Sequence, residues 1–159
     1  MNQVYGMYKK LTAKNDKAGR AAFSASFALK APYFRTVAPM IQTMEPHRGV
    51  VKIKKWWGVQ NHIGTVHAIA IANGMECAMG LLAEATTPDD MRWIPKGITL
   101  DYVAKTPGDI ECVAETTPED WDKEPPFQVH VKVTGRLVKD GTVAVEGIIP
   151  IYVSAKKKK

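Results

Sequence analysis

Residues 61–86 read NHIGTVHAIAIANGMECAMGLLAEAT: two histidines, then a long run of small and apolar side chains in which, from Ala68 to Ala83, Glu76 is the one carboxylate. From Val66 to Ala85 the run is too long for a strand, and Ala, Met and Leu dominate it, so it predicts an α-helix. Ala68, Ala70, Ala72, Gly74, Ala78, Gly80 and Ala83 keep that helix thin, which lets a sheet come close to it. A helix this apolar all round is expected to be buried.

Outward from the helix, the pattern differs on the two sides. Towards the N-terminus, Val4, Met7, Tyr8 and Leu11, then Ala22, Phe23, Phe27 and Leu29, recur at spacings of three and four and predict two or three helices before about residue 45. Pro32 and Pro39 make APYFRTVAPMIQTM a short helix and a bend. RGVVKIKKWW (48–57) then alternates as a strand with one wet face. Beyond Pro88 four strand-like segments follow: WIPKGITLDYVAKT, DIECVAETT, FQVHVKVTGRLVK and TVAVEGIIPIYVS. The turns between them are TPGD, an acidic TPEDWDKEPP, and KDG, whose Asp140-Gly141 pair is a hairpin signal. The expectation is an α+β domain in which an antiparallel sheet wraps a long central helix, with extra N-terminal helices.

Length and composition fit one domain spanning residues 1–155: 159 residues with 45% hydrophobic content can bury a substantial core. Four of the six net positive charges are the terminal run Lys156–Lys159, read as a disordered, solvated tail. That removes the main argument for nucleic acid as a partner. Trp56 and Trp57 beside Lys52, Lys54 and Lys55 fit a strand end better than a base-stacking platform. Cys77 and Cys112 have no metal-ligand spacing and read as reduced core residues; the acidic loop Glu119–Asp122 reads as a packed turn, so no metal is expected. The N-terminus has no apolar stretch behind its charges, and the longest apolar segment is interrupted, so a cytoplasmic chain without a membrane span is expected.

A carboxylate inside a buried helix is costly to desolvate. Either Glu76 pairs with a cation or backbone donor, or a cavity opens there and it serves as base or nucleophile. Asn61, Gly64, Thr65 and His67 gather polar groups at the helix start, where free N–H groups and the dipole can stabilise an oxyanion. Thr65 could also be a simple N-cap and His67 a satisfied core histidine. Nine residues separate His67 from Glu76, roughly 13 to 14 Å of helical rise and half a rotation, so one chain cannot bring them together. A site using both requires two copies, a symmetric homodimer or a tetramer built from it.

Asn61-x-x-Gly64-Thr65-x-His67, with an acid nine positions on, resembles the hotdog-fold acyl-CoA thioesterases of the phenylacetate-pathway type, which carry N-x-x-G-x-x-H-G-G and an Asp or Glu at that distance. GITLDYVAKTPGDIECVAE (97–115) is similar to the strand, PGD turn and strand after their central helix. The resemblance covers residues 48–153, the hotdog core; the N-terminal helices fit an uncharacterised hotdog subgroup. Two departures stand out: Ala68 and Ile69 replace the glycines after the histidine, and glutamate replaces the aspartate common in that branch. The resemblance implies hydrolysis of an acyl-CoA or other thioester, with CoA as part of the substrate and no separate cofactor. It implies Glu76 as base or nucleophile, His67 and Asn61 as catalytic partners, and Ala68, Gly64 and Thr65 on the substrate, with the Ala68 N–H on the oxyanion. Met75, Met79, Phe34 and Trp57 are the expected tunnel wall. A non-catalytic acyl-ligand-binding protein is the alternative; a hydratase or dehydratase lacks its usual motifs here.

Overall fold

A computed structural model describes residues 2–156. Helices α1 (Gln3–Thr12) and α2 (Asp16–Lys30) come first, capped by Asn2 and Asn15, whose side chains accept the N–H of Val4 and Ala18. A 3-10 turn over Pro32–Val37 leads into strand β1 (Met40–Glu45) and its hairpin partner β2 (Arg48–Ile53). The helix α3 (Ala68–Thr86) follows, then β3 (Met91–Pro95), β4 (Thr99–Tyr102), β5 (Ile110–Glu115), β6 (Phe127–Leu137) and β7 (Val143–Ala155). The strands form one antiparallel sheet of order β1-β2-β5-β6-β7-β3, with β4 also on β7.

This is the expected α+β hotdog architecture, with two differences. Met40–Glu45 is a strand, not the end of an N-terminal helical region. Ile41 and Met44 point into the core, a bulge between Ile41 and Thr43 breaking strict alternation, and His47 at φ 64° closes the turn to β2. The segment WIPKGITLDYVAKT gives two strands: β3 pairs with the far half of β7 and β4 with the near half, and Lys96–Ile98 bridges the gap. The Asp140-Gly141 hairpin forms as expected: Gly141 adopts φ +76°, and the Thr142 N–H donates to Asp140 Oδ1 at 3.0 Å.

The core lies between the sheet and α3, where Ile71, Met75, Met79, Leu81 and Leu82 pack against Val51, Ile53, Ile110, Val131 and Val133. Close approach depends on small residues. A Cβ at Gly49 on β2 would fall 2.0 Å from the Ala78 carbonyl oxygen, so strand backbone touches helix backbone there. Helices α1 and α2 lie over the other side of α3, held by a ladder of rings: Tyr8 edge-on to Phe23 at 5.1 Å, Phe23 to Phe27 at 6.1 Å, Phe27 to Phe34 at 5.7 Å. Of the described helices, α3 alone is long and apolar enough to cross a membrane, and it is the buried core helix.

The lysine run read as a disordered tail lies outside the described residues for Lys157–Lys159. Lys156 is tied down: its N–H donates to the Asp90 carbonyl and its Nζ to that of Asp89, both at 2.8 Å.

Candidate active site

The helix is not buried all round. Ile69, Ala72, Glu76 and Gly80, at successive turns, form a stripe that the sheet leaves open. Glu76 is exposed, so it bears no large desolvation cost. Among the described residues it makes no ion pair and no hydrogen bond, which removes the reading of Glu76 as a paired structural acid. Its side chain lines two cavities. One, about 430 Å³, lies under α1 and α2 and is walled by Phe27, Phe34, Met79 and Trp93. The other, about 260 Å³, lies against the sheet edge at Pro95, Gly97, Ile98 and Ile149.

Of the expected tunnel wall, Phe34 and Met79 are in place. Met75 is fully buried, its Cε beside Gly135, and Trp57 stands 87% exposed in the segment before α3.

The helix start fits neither a Thr65 cap nor a core histidine: His67 is itself the N-cap, exposed, its Nδ1 accepting the Ile69 N–H at 3.1 Å. Acceptance at Nδ1 places the ring proton of neutral His67 on Nε2. The Ala68 N–H, at the first helical position, has no partner among the described residues.

Asn61 holds the loop together. Its Oδ1 accepts from the Ile63 and Thr65 N–H groups at 3.2 and 3.0 Å, and its Nδ2 donates to Thr65 Oγ1 at 2.8 Å. Gly64, at φ +74°, makes the tight turn that this requires. Asn61, Gly64 and Thr65 therefore stand as a pre-formed loop under His67, with the Asn61 side chain engaged inside it. His67 lines a third, separate depression of about 180 Å³ with Asn73. The chain by itself does not bring His67 and Glu76 to the same cavity, as the helical spacing requires.

Three residues went unnoticed in the sequence. Asn73, 6% exposed, donates to Thr36 Oγ1 at 3.4 Å while its Oδ1 has no hydrogen-bond partner among the described residues. Its signal is a polar side chain one turn before the acid. Tyr102, on the sheet edge, donates its hydroxyl to the Ala68 carbonyl at 3.1 Å, and partial burial raises its phenol pKa. Glu84, two turns beyond Glu76, accepts from Trp93 Nε1 at 3.1 Å and from Asn2 Nδ2. Cys77 and Cys112 are buried free thiols; burial pushes both upward, Cys112 to about 12.

A structural-genomics target of 34% identity superposes with a TM-score of 0.82 over 96% of this chain and 99% of its own. A Pseudomonas aeruginosa protein described as a probable thioesterase shares 17% identity at a TM-score of 0.74 (86% and 96% coverage). The phenylacetic acid degradation protein PaaI from Thermus thermophilus, in a mutant form, shares 13% at 0.64 (76% and 97%). The fold is thus that of the thioesterase-family hotdog proteins. No curated protein matches the chain. The model of a family described only as a domain of unknown function, DUF4442, matches residues 19–153, and the chain belongs to that family.

Proposed function

We propose that this protein is a cytoplasmic acyl-CoA thioesterase, acting as a homodimer or a tetramer of such dimers. The observation that carries the reading is Glu76: an unpaired carboxylate on the open stripe of the core helix, facing an apolar cavity large enough for an acyl group. The edge strands beside it support association. Ile94, Ile98, Tyr102 and Val103 are exposed there, and β3 and β4 each have one unpaired side.

In the dimer, the α3 start of one copy meets Glu76 of the other. As a base, Glu76 takes a proton from water as its oxygen adds to the thioester carbonyl carbon. The oxyanion is held by the Ala68 N–H and the positive end of α3, and His67 Nε2–H is a second donor. Collapse breaks the carbon–sulfur bond, and the proton passes from Glu76 to the CoA thiolate. As a nucleophile, Glu76 adds to the carbonyl carbon and expels the CoA thiolate to leave an acyl anhydride; water cleaves it to the free acid and the Glu76 carboxylate, and the proton released goes to the thiolate. Asn61, Gly64 and Thr65 fix the loop that aims His67 and the Ala68 N–H at the substrate.

Non-catalytic binding of an acyl ligand is the second reading, and Ile69 favours it: this exposed side chain stands beside the Ala68 N–H where related enzymes have glycine. Thiol release from a panel of acyl-CoAs separates the two. Glu76→Gln should lower turnover by roughly a hundred- to ten-thousandfold with an unchanged melting curve. Ligand-dependent thermal protection with no turnover at any chain length would leave only the binding reading.

A further inference from the structure

Two glycines interrupt α3, and they do different work. In a helix interior each costs about 1 kcal/mol relative to alanine, so each needs a reason. Gly74 has one: a Cβ there would lie 2.4 Å from Ile53 Cδ1 and 2.9 Å from Cys112 Sγ. Gly80 has no such neighbour. A Cβ there would meet only Trp93 Cη2, at an ordinary 3.7 Å. What Gly80 borders instead is the 430 Å³ cavity, one turn past Glu76.

Beyond Gly80 the cavity is lined by Glu84 and Trp93. Trp93 is fixed by its hydrogen bond to Glu84, and Glu84 by a second one from Asn2, which also caps α1. Both Glu84 oxygens are therefore engaged, and this acid is fixed in the cavity wall while Glu76 stays free. The roof is Val4 and Met7 of α1 with Phe27 of α2. Apart from Lys30, Glu76 and Glu84, no charged side chain lines the cavity.

We propose that this cavity is the acyl-chain site, that Gly80 keeps it open, and that the Glu84–Trp93–Asn2 wall ends it, so that the protein selects straight acyl chains of medium length. The proposal rests on Glu76 facing the thioester carbonyl. Eight residues of helix separate Glu76 from Glu84, about 12 Å of rise. An extended chain gains about 1.2 Å per bond, because three backbone bonds span about 3.5 Å. The space therefore takes roughly eight to ten carbons.

The test uses the full-length protein and non-hydrolysable S-alkyl-CoA thioethers carrying butyl, decyl or hexadecyl groups. Their affinities are measured in parallel with hydrolysis of the matching acyl-CoAs. The wild type should bind the decyl thioether about tenfold or more tighter than the butyl or hexadecyl ones. Gly80→Leu should lose about tenfold for decyl and keep butyl binding; Gly80→Ala, a milder change, should show a smaller loss in the same direction. Trp93→Ala should gain hexadecyl binding. Hexadecyl binding equal to decyl in the wild type, or decyl binding unaffected by either change at Gly80, would overturn the proposal. Hydrolysis without chain-length preference overturns the cavity assignment and leaves the hydrolase reading. Decyl selectivity without hydrolysis of decanoyl-CoA does the reverse.

Discussion

The same substitution at two positions of one helix should change stability in different directions. Gly74→Ala and Gly80→Ala both gain the helix propensity of alanine, about 1 kcal/mol, and both reduce the freedom of the unfolded chain equally. That shared gain cancels in the comparison. At Gly80 nothing opposes it, since the new methyl group enters the cavity with Trp93 Cη2 3.7 Å away. At Gly74 the methyl group meets Ile53 Cδ1 and Cys112 Sγ, both on fully buried side chains that must shift to admit it. Forcing it in costs about 1 to 3 kcal/mol. For a chain of 159 residues, 1 kcal/mol moves the melting temperature by about 2 to 4 °C. Gly80→Ala should therefore melt a few degrees above wild type and Gly74→Ala at or below it. The assay is thermal unfolding by circular dichroism at one protein concentration, since association would shift both curves. A melting temperature for Gly80→Ala below wild type would mean that something packs tightly on Gly80, and the open cavity beside Glu76 would be refuted.

Three further outcomes follow from the same geometry. Asn61→Ala removes three hydrogen bonds from the loop before α3 and should destabilise the protein by about 1 to 3 kcal/mol, read by chemical denaturation; an unchanged midpoint would show that the loop is held by other contacts. The backbone N–H of Lys55, and then the Lys52 ammonium at 3.3 Å, hold the Asp109 carboxyl below its ordinary value of 3.8. A lowered carboxylate stabilises above its unfolded value and stops doing so as pH falls through the folded one. Wild type and Asp109→Asn should therefore differ by less than about 1 kcal/mol at neutral pH, in favour of wild type, and converge below about pH 4. The native protein should resist thiol alkylation at neutral pH, because Cys77 and Cys112 are buried with raised pKa values, and should label at both on unfolding, as counted by mass spectrometry.

Most of the architecture is written in local pattern. The central helix, the alternating strands and the Asp140-Gly141 hairpin depend on neighbours within a few residues, and each is where the sequence indicates. The strand β1 is not legible in that way. Met40, Ile41 and Met44 share the spacing of a helix face between two prolines, and only pairing with β2 makes them a strand. The division of residues 91–102 into β3 and β4 is likewise set by β7, which is long enough to pair with both in turn.

Glu76 illustrates the boundary between what pattern reveals and what it conceals. Its oddness is legible, because between Ala68 and Ala83 it is the one acid in a run of mostly small and apolar side chains. Its environment is not, because composition around a helix says nothing about how many of its sides are covered. The sheet takes the broad face that carries Ile71, Met75 and Leu82, while α1 and α2 roof the remainder without filling it. The remaining stripe is marked by residue size, not by polarity: Ala72 and Gly80 flank the acid at the adjacent half-buried turns, too small to close the space. An acid between two small residues on one helical stripe is therefore better read as the rim of a cavity than as a charge buried in the core. On that reading Glu76 needs no counter-ion, and its carboxylate stays free to take a proton.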